Sequence, residues 1–292
     1  MRILITGGTG FIGKKLINLL NTQGRFEVFG DKEPIDLTDI QSIRTVLDKV
    51  KPDLIVHLAA LTFVPNSQPL NFYNVNTLGT ENLLKMVIET NVSEMGMLCF
   101  STAGVYGIQQ KDLLDETLTP NPINHYAMSK YCMEQVVNKY RKLRNITIVR
   151  PFNILGNGQN IDFLVPKIVN CFAKKDSLIE LGNLDSIRDF ISADDCCDIV
   201  CKLISKPLTN DIVNICSGVG HSVYDVFSFL SDISNHQMQI KQDERFMRND
   251  DIPKMIGNPS KLFNVLGEVY NFTPLKDILE KMYIEKLQES LV

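Results

Sequence analysis

Short apolar, β-branched runs alternate with longer stretches of helical periodicity through the first half of the chain. The runs at Arg2–Thr6, Phe26–Phe29, Asp53–His57, Met97–Ser101 and Ile146–Arg150 predict buried strands, and helices are expected from about Ile12, Asp39, Leu70 and Ile123 between them. That alternation predicts an α/β fold with a doubly wound parallel sheet, a βαβαβ unit used twice. The segment between the second and third strands, PIDLTDIQSIRTVLDKVKPD, is compact: it holds one short helix, capped by Thr38 or Asp39 and ended before Pro52. Beyond Arg150 the pattern loosens, and Gly and Asn gather in ILGNGQN. A smaller C-terminal lobe, interleaved with the first, is expected. Residues 1–151 plus about 186–215, with a strand at DIVNICS, form the nucleotide-binding part, and about 152–185 plus 216–292 form a substrate lobe.

Composition adds mainly exclusions. At 292 residues, 44% hydrophobic and 22% charged, the chain is an ordinary globular one. A formal net charge of −4 argues against nucleic acid as the main ligand, since neutralising phosphates calls for a basic excess. No apolar run approaches the roughly 20 residues of a membrane span. The N-terminus looks signal-like, but Gly7, Gly8, Gly10 and Lys14–Lys15 interrupt it, so a cytoplasmic location is expected. The seven cysteines show no CxxC spacing, Cys196, Cys197 and Cys201 included. They read as reduced, small buried hydrophobes, and no metal site is expected.

Two constellations carry chemistry. ILITGGTGFIG sets Gly7, Gly10 and Gly13 at the exit of the first strand and the start of a helix. Glycines there allow a tight turn, close approach of backbone to a pyrophosphate and helix–sheet contact, with the helix N-terminus supplying N–H donors. The sheet is therefore expected to be of Rossmann type and to bind NAD(P)H. Asp31 and Glu33 after the second strand suit ribose hydroxyls, whereas Lys32 would suit a 2′-phosphate, so NADH and NADPH stay open. In HYAMSK, Tyr126 and Lys130 stand at i and i+4 on one helix face, where an ammonium can lower the phenol's pKa and hold the nicotinamide ribose. FSTAGVYG delivers Ser101 and Thr102 to the carboxyl edge of the sheet, where such folds bind ligands.

Together GGTGFIG, HLAA at 57–60, NVNTLGTENLL at 74–84, STAGVYG, YAMSK, RPFNILGNGQ at 150–159 and RDFISADD at 188–195 resemble the extended short-chain dehydrogenases that modify nucleotide-sugars, over nearly the whole chain. LGNLDSIRDF, VNICSGVG and FMRNDDIPKMIGNPSKL look most like the GDP-4-keto-6-deoxy-D-mannose reductases and their GDP-mannose dehydratase relatives. The resemblance implies that Gly7, Thr9, Gly10, Phe11, Ile12 and Gly13 form the pyrophosphate loop. It implies Asp36 and Leu37 at the adenine, and Leu58, Ala59 and Ala60 along the cofactor's centre. Thr102, Tyr126 and Lys130 would be catalytic. Asn153, Arg188 and Arg248 would hold the sugar-nucleotide diphosphate and Asp251 its ribose. It further implies a GDP-linked substrate and a homodimer through the helices near 70–90 and 123–144.

The related dehydratases carry Thr-Asp-Glu where this chain has Thr102, Ala103 and Gly104. Without those carboxylates the elimination of water lacks its proton carriers. The expected reaction is reduction of the C4 ketone of a 4-keto-6-deoxy sugar, GDP-4-keto-6-deoxy-D-mannose to GDP-D-rhamnose or a close relative. A nucleotide-sugar 4-epimerase, which uses the same tyrosine, is the alternative, and a non-catalytic dinucleotide sensor on the same fold a second.

Overall fold

The computed structural model describes residues 1–62, 68–246 and 251–289. The first half runs β1 (Arg2–Thr6), α1 (Phe11–Gln23), β2 (Glu27–Phe29), α2 (Ile40–Val50), β3 (Leu54–His57), α3 (Pro69–Phe72), α4 (Gly79–Glu89), β4 (Met97–Phe100), α5 (His125–Tyr140) and β5 (Ile146–Pro151). Between α3 and α4 the helix widens into a π segment, Tyr73–Leu78. The second half runs β6 (Asn153–Leu155), α6 (Leu164–Ala173), β7 (Leu178–Leu181), β8 (Ile187–Ser192), α7 (Ala193–Ile204), β9 (Ile212–Ile215), β10 (Gly220–Ser222), α8 (Val223–Ser234), β11 (Gln239–Gln242), β12 (Lys254–Met255), α9 (Ser260–Leu266) and α10 (Leu275–Glu289).

Six parallel strands form the large sheet in the order β2-β1-β3-β4-β5-β9. Strand periodicity divides its side chains between two cores. Ile3, Ile5, Leu54, Val56, Leu98 and Val149 meet the residues of α1 and α7. Leu4, Ile55, Met97, Cys99, Ile146 and Ile148 meet α2, α4 and α5. A sheet buried on both faces explains why these strands read as continuous apolar runs.

The two expected βαβαβ units are present: β1-α1-β2-α2-β3, and β4-α5-β5 completed by α7 and β9. After β2 the chain forms no further strand before α2: Pro34 interrupts it, the Asp36 carboxylate accepts from the Thr38 amide at 2.8 Å and hydroxyl at 2.6 Å, and the Asp36 amide donates to Ser42 at 3.0 Å. The Asp39 side chain then caps α2 by accepting from the Gln41 amide. Because β2 and β3 pair on opposite sides of β1, the strand order reverses between β1 and β3, and a crevice opens at their carboxyl ends.

Of residues 186–215, α7 and β9 join the large sheet's layers, but Ile187–Ser192 does not. As β8 it pairs with β6, β10 and β12 in a small sheet. The remaining lobe has its own core, where Phe172 of α6 meets Phe227 of α8 at 5.5 Å and α10 adds Leu279 and Met282. Asp189 of β8 joins these parts. It is fully buried and accepts from the Ser217 amide at 3.0 Å, the Ser217 hydroxyl at 2.6 Å, the Gly218 amide at 2.9 Å and the Gly257 amide at 3.2 Å. Burial raises its pKa, and those four hydrogen bonds pull it back. No helix among the described residues is long and apolar enough to cross a membrane.

Candidate active site

The glycine loop closes as its spacing predicts. Gly7 sits at φ +73°, and a Cβ there would meet the Ala59 amide nitrogen at 2.8 Å. The Gly10 amide donates to the Gly7 carbonyl at 3.0 Å, and a Cβ on Gly13 would meet that same carbonyl oxygen at 2.2 Å. Gly8 adds a contact that sequence reasoning missed, since its Cβ would strike the Gly30 carbonyl at 2.4 Å and part the loop from the end of β2. Gly10 differs: the protein crowds its Cβ position only through the Gly7 oxygen at 3.2 Å, leaving the other side open for a ligand to approach. The N-terminus of α1 has no side-chain cap and no acidic residue in its first turn, so its amides remain available to a pyrophosphate. Phe11 starts that helix, and its ring lies 3.4 Å from the Cβ position of Gly156, so the 156–158 loop rests on it.

Around the rest of the crevice the expected residues divide. The Leu58 amide donates to the Thr6 carbonyl at 3.1 Å and the Ala59 amide to the Thr6 hydroxyl at 3.3 Å, aligning 58–60 beside the glycine loop. Asp31 is exposed at the end of β2, whereas Glu33 is turned back to the Gly30 amide and to Lys49, both at 3.3 Å. Thr38 holds one Asp36 oxygen and lowers that carboxyl's pKa. Leu37 is buried against Gly79.

The Thr6 hydroxyl also meets His57 Nδ1 at 2.7 Å, and His57 Nε2 meets the Thr80 hydroxyl at 2.9 Å. Thr80 donates its own proton to the Asn76 carbonyl, so Nε2 carries the imidazole proton and Nδ1 accepts. Burial, with Lys130 nearby, pushes the His57 pKa down to about 3. Neutral His57 thus aligns the cofactor-facing strand ends. In the unfolded chain this histidine takes a proton below pH 6.5, while the folded protein resists until about 3. Stability is therefore complete above 6.5 and falls with acidification, by about 2 kcal/mol between pH 6.5 and 5. Denaturant unfolding at the two pH values should show that loss, and a His57→Gln protein should show less of it.

At the carboxyl end of β4, Thr102 caps a short 3-10 turn over Ala103–Tyr106 by accepting from the Gly104 amide at 3.1 Å. Its hydroxyl also hydrogen-bonds the Tyr126 phenol, which sets the two oxygens side by side. Ala103 is buried in an apolar cluster with Tyr106 and Phe152, so this turn presents no carboxylate. Asn124 caps α5 by accepting from the Ala127 amide at 2.9 Å, and the helix places Tyr126 beside Thr102. Phe72 contacts the Tyr126 ring edge-on at 6.1 Å. Asn76 of the π segment fixes the same turn through Ser129, whose hydroxyl donates to the Tyr126 carbonyl at 2.7 Å.

In the protein without cofactor, burial pushes the Tyr126 phenol up to about 12, with the Thr102 hydrogen bond pulling against it. Lys130 itself is 2% exposed, and burial lowers its pKa to about 8. A buried ammonium with no ion-pair partner among the described residues suits a nicotinamide ribose.

In the small sheet, the Asn153 side chain donates to the Asp189 carbonyl at 3.2 Å. Arg188 and Asp251, assigned separately to diphosphate and ribose, form an ion pair at 2.6 Å. Arg248 lies outside the described residues. Glu134 and Arg150, which sequence reasoning also missed, meet beneath Lys130 as a fully buried pair.

A pyrophosphate loop at the crossover, a Tyr-x-x-x-Lys helix and a hydroxyl at the end of β4 define an extended short-chain dehydrogenase: an NAD(P)-dependent enzyme working on a CH–OH/C=O group. The chain belongs to the NAD dependent epimerase/dehydratase family, which it matches over residues 3–216. It is 63% identical, over 99% of both chains, to the GDP-6-deoxy-D-talose 4-dehydrogenase of Aggregatibacter actinomycetemcomitans. It is 29% identical to the GDP-6-deoxy-D-mannose reductase of Pseudomonas aeruginosa over 91% of both chains. The solved structure of RMD from P. aeruginosa complexed with NADPH superposes with a TM-score of 0.90 at 27% identity, covering 99% of each chain.

Proposed function

We propose that this enzyme reduces the C4 ketone of a GDP-linked 4-keto-6-deoxyhexose with NAD(P)H to the 6-deoxy-D-talose configuration, and catalyses the reverse oxidation. The observation that carries the reading is the pairing of Tyr126 with Thr102 on a turn whose next two positions, Ala103 and Gly104, hold no acid or base. Bound reduced nicotinamide supplies the hydride. Thr102, which accepts from the Gly104 amide, would donate to the ketone oxygen and so hold the carbonyl beside Tyr126. Tyr126 gives its phenolic proton to that oxygen, completing CH–OH, and Lys130 offsets the charge left on the phenolate. A phenol held near 12 is protonated at neutral pH, the form that reduction needs.

GDP and the talo configuration come from the 63% relative. The C4 epimer, GDP-D-rhamnose, is the second reading, supported by the more distant mannose reductase and the similarity to RMD. The test incubates the purified protein with GDP-4-keto-6-deoxymannose and NADH or NADPH. We expect one reduced nicotinamide consumed per sugar and a talo-configured product by NMR. Interconversion of the two 4-hydroxy epimers without net cofactor loss would instead establish an epimerase, and cofactor binding without turnover a sensor.

A further inference from the structure

Lys130 carries its charge in the interior, and among the described residues it forms no ion pair. Three titratable groups act on its charge: Cys99, His57 and Glu134. Cys99 on β4 is neutral, its thiol pushed up to about 12 by burial, and His57 on β3 is neutral as described. Tyr126 lies one turn away on α5 with its proton on. Glu134, one turn further along the same helix, is the remaining group and the one anion.

That anion is fully engaged elsewhere. Glu134 Oε1 accepts from the Ser101 hydroxyl at 2.5 Å and from Arg150 Nε at 2.9 Å, and Oε2 accepts from Arg150 Nη2 at 2.6 Å. Arg150 is 2% exposed and Glu134 1%. The guanidinium also lies over the Tyr106 ring at 4.8 Å. A buried pair of this kind is a poor source of stability compared with apolar side chains of the same volume. Its placement under the catalytic lysine gives it a different use.

We propose that Glu134 and Arg150 are positioning residues that balance charge for Lys130: Arg150 cancels the one anion facing the ammonium, leaving that ammonium to be satisfied by the nicotinamide ribose and by the Tyr126 phenolate. Without Arg150, Glu134 would hold the lysine's charge for itself. Without Glu134, Arg150 would repel it. Ser101 ties the pair to the residue preceding Thr102, so the same device sets the strand end that carries the catalytic hydroxyl. The inference rests on the proposed role of Lys130 at the cofactor.

The test is the pH dependence of NADH and NADPH affinity from pH 6 to 10, read by nicotinamide fluorescence. Wild-type affinity should fall as Lys130 loses its proton near pH 8. In Glu134→Gln the unbalanced guanidinium should move that midpoint down by about one pH unit, and in Arg150→Met the unbalanced carboxylate should move it up by about one. The double variant should return it close to wild type. A midpoint unmoved in Glu134→Gln, or both single variants shifting upward together as simple admission of water would cause, overturns the inference. Glu134→Gln is nearly isosteric and carries the sign alone if Arg150→Met does not fold. Absence of cofactor binding by the wild type at every pH would overturn the proposed function and this inference with it, whereas binding with an unmoved midpoint overturns this inference alone.

Discussion

Tyr126→Phe is expected to lower turnover in the reductive direction by a factor on the order of 10²–10⁴, while NADH or NADPH affinity stays within a few-fold of wild type. The substitution removes the proton that must reach the C4 oxygen and nothing that shapes the glycine loop. The phenylalanine ring keeps its edge-on contact with Phe72, and the Ser129 bond to the residue 126 carbonyl is a backbone contact that survives. Steady-state rates paired with cofactor titrations separate the two effects. Turnover within tenfold of wild type would remove Tyr126 from the chemistry and point to another proton source. A parallel loss of cofactor affinity would show instead that the ring was holding the helix in place.

The largest effect on stability is expected at Asp189. Asp189→Ala leaves Ser217 and Gly218 of one turn, and Gly257, with four donors facing a space that water reaches poorly. A loss on the order of 3–5 kcal/mol follows from unmet donors of that number, tempered by relaxation. Because Asp189 joins the small sheet to the turn after β9, the unfolding transition should also become less cooperative. Chemical denaturation followed by far-UV circular dichroism measures both. A loss below about 1 kcal/mol would mean that the joint re-forms around ordered water. Asn at this position keeps an acceptor oxygen and should fall between the two.

Much of the frame was legible because its signals are local. The strands expected at Arg2–Thr6 and Met97–Ser101 are found within a residue of those limits, since each is a short apolar run buried on both faces. Asp39 was one of two expected caps and does cap α2. The i, i+4 spacing of Tyr126 and Lys130 needs only helical geometry, and both side chains lie on α5 as expected. What stayed hidden depends on partners far apart in the chain. Nothing near Glu134 announces Arg150, and nothing near Asp189 announces Gly218 or Gly257. Two charged residues inside otherwise apolar stretches, Arg150 in ITIVRP and Asp189 in IRDFIS, were the available hint, since a charge among buried positions must have a partner. The burial of Tyr126 and Lys130 is likewise set by distant elements, and desolvation raises the phenol and lowers the ammonium.

The loop from Gly30 to Asp39, which joins β2 to α2, has an evolutionary reading. In the proposed cofactor site, the end assigned to the nicotinamide lies among buried strands and Lys130, so a change there disturbs the core. The end assigned to the adenosine is a surface loop held by the Asp36–Thr38 and Ser42 hydrogen bonds, with Asp31 and Lys32 both exposed. The two halves of one cofactor site therefore drift at different costs: preference between phosphorylated and unphosphorylated dinucleotides can change by substitution at the rim, while the reaction itself stays anchored in the interior.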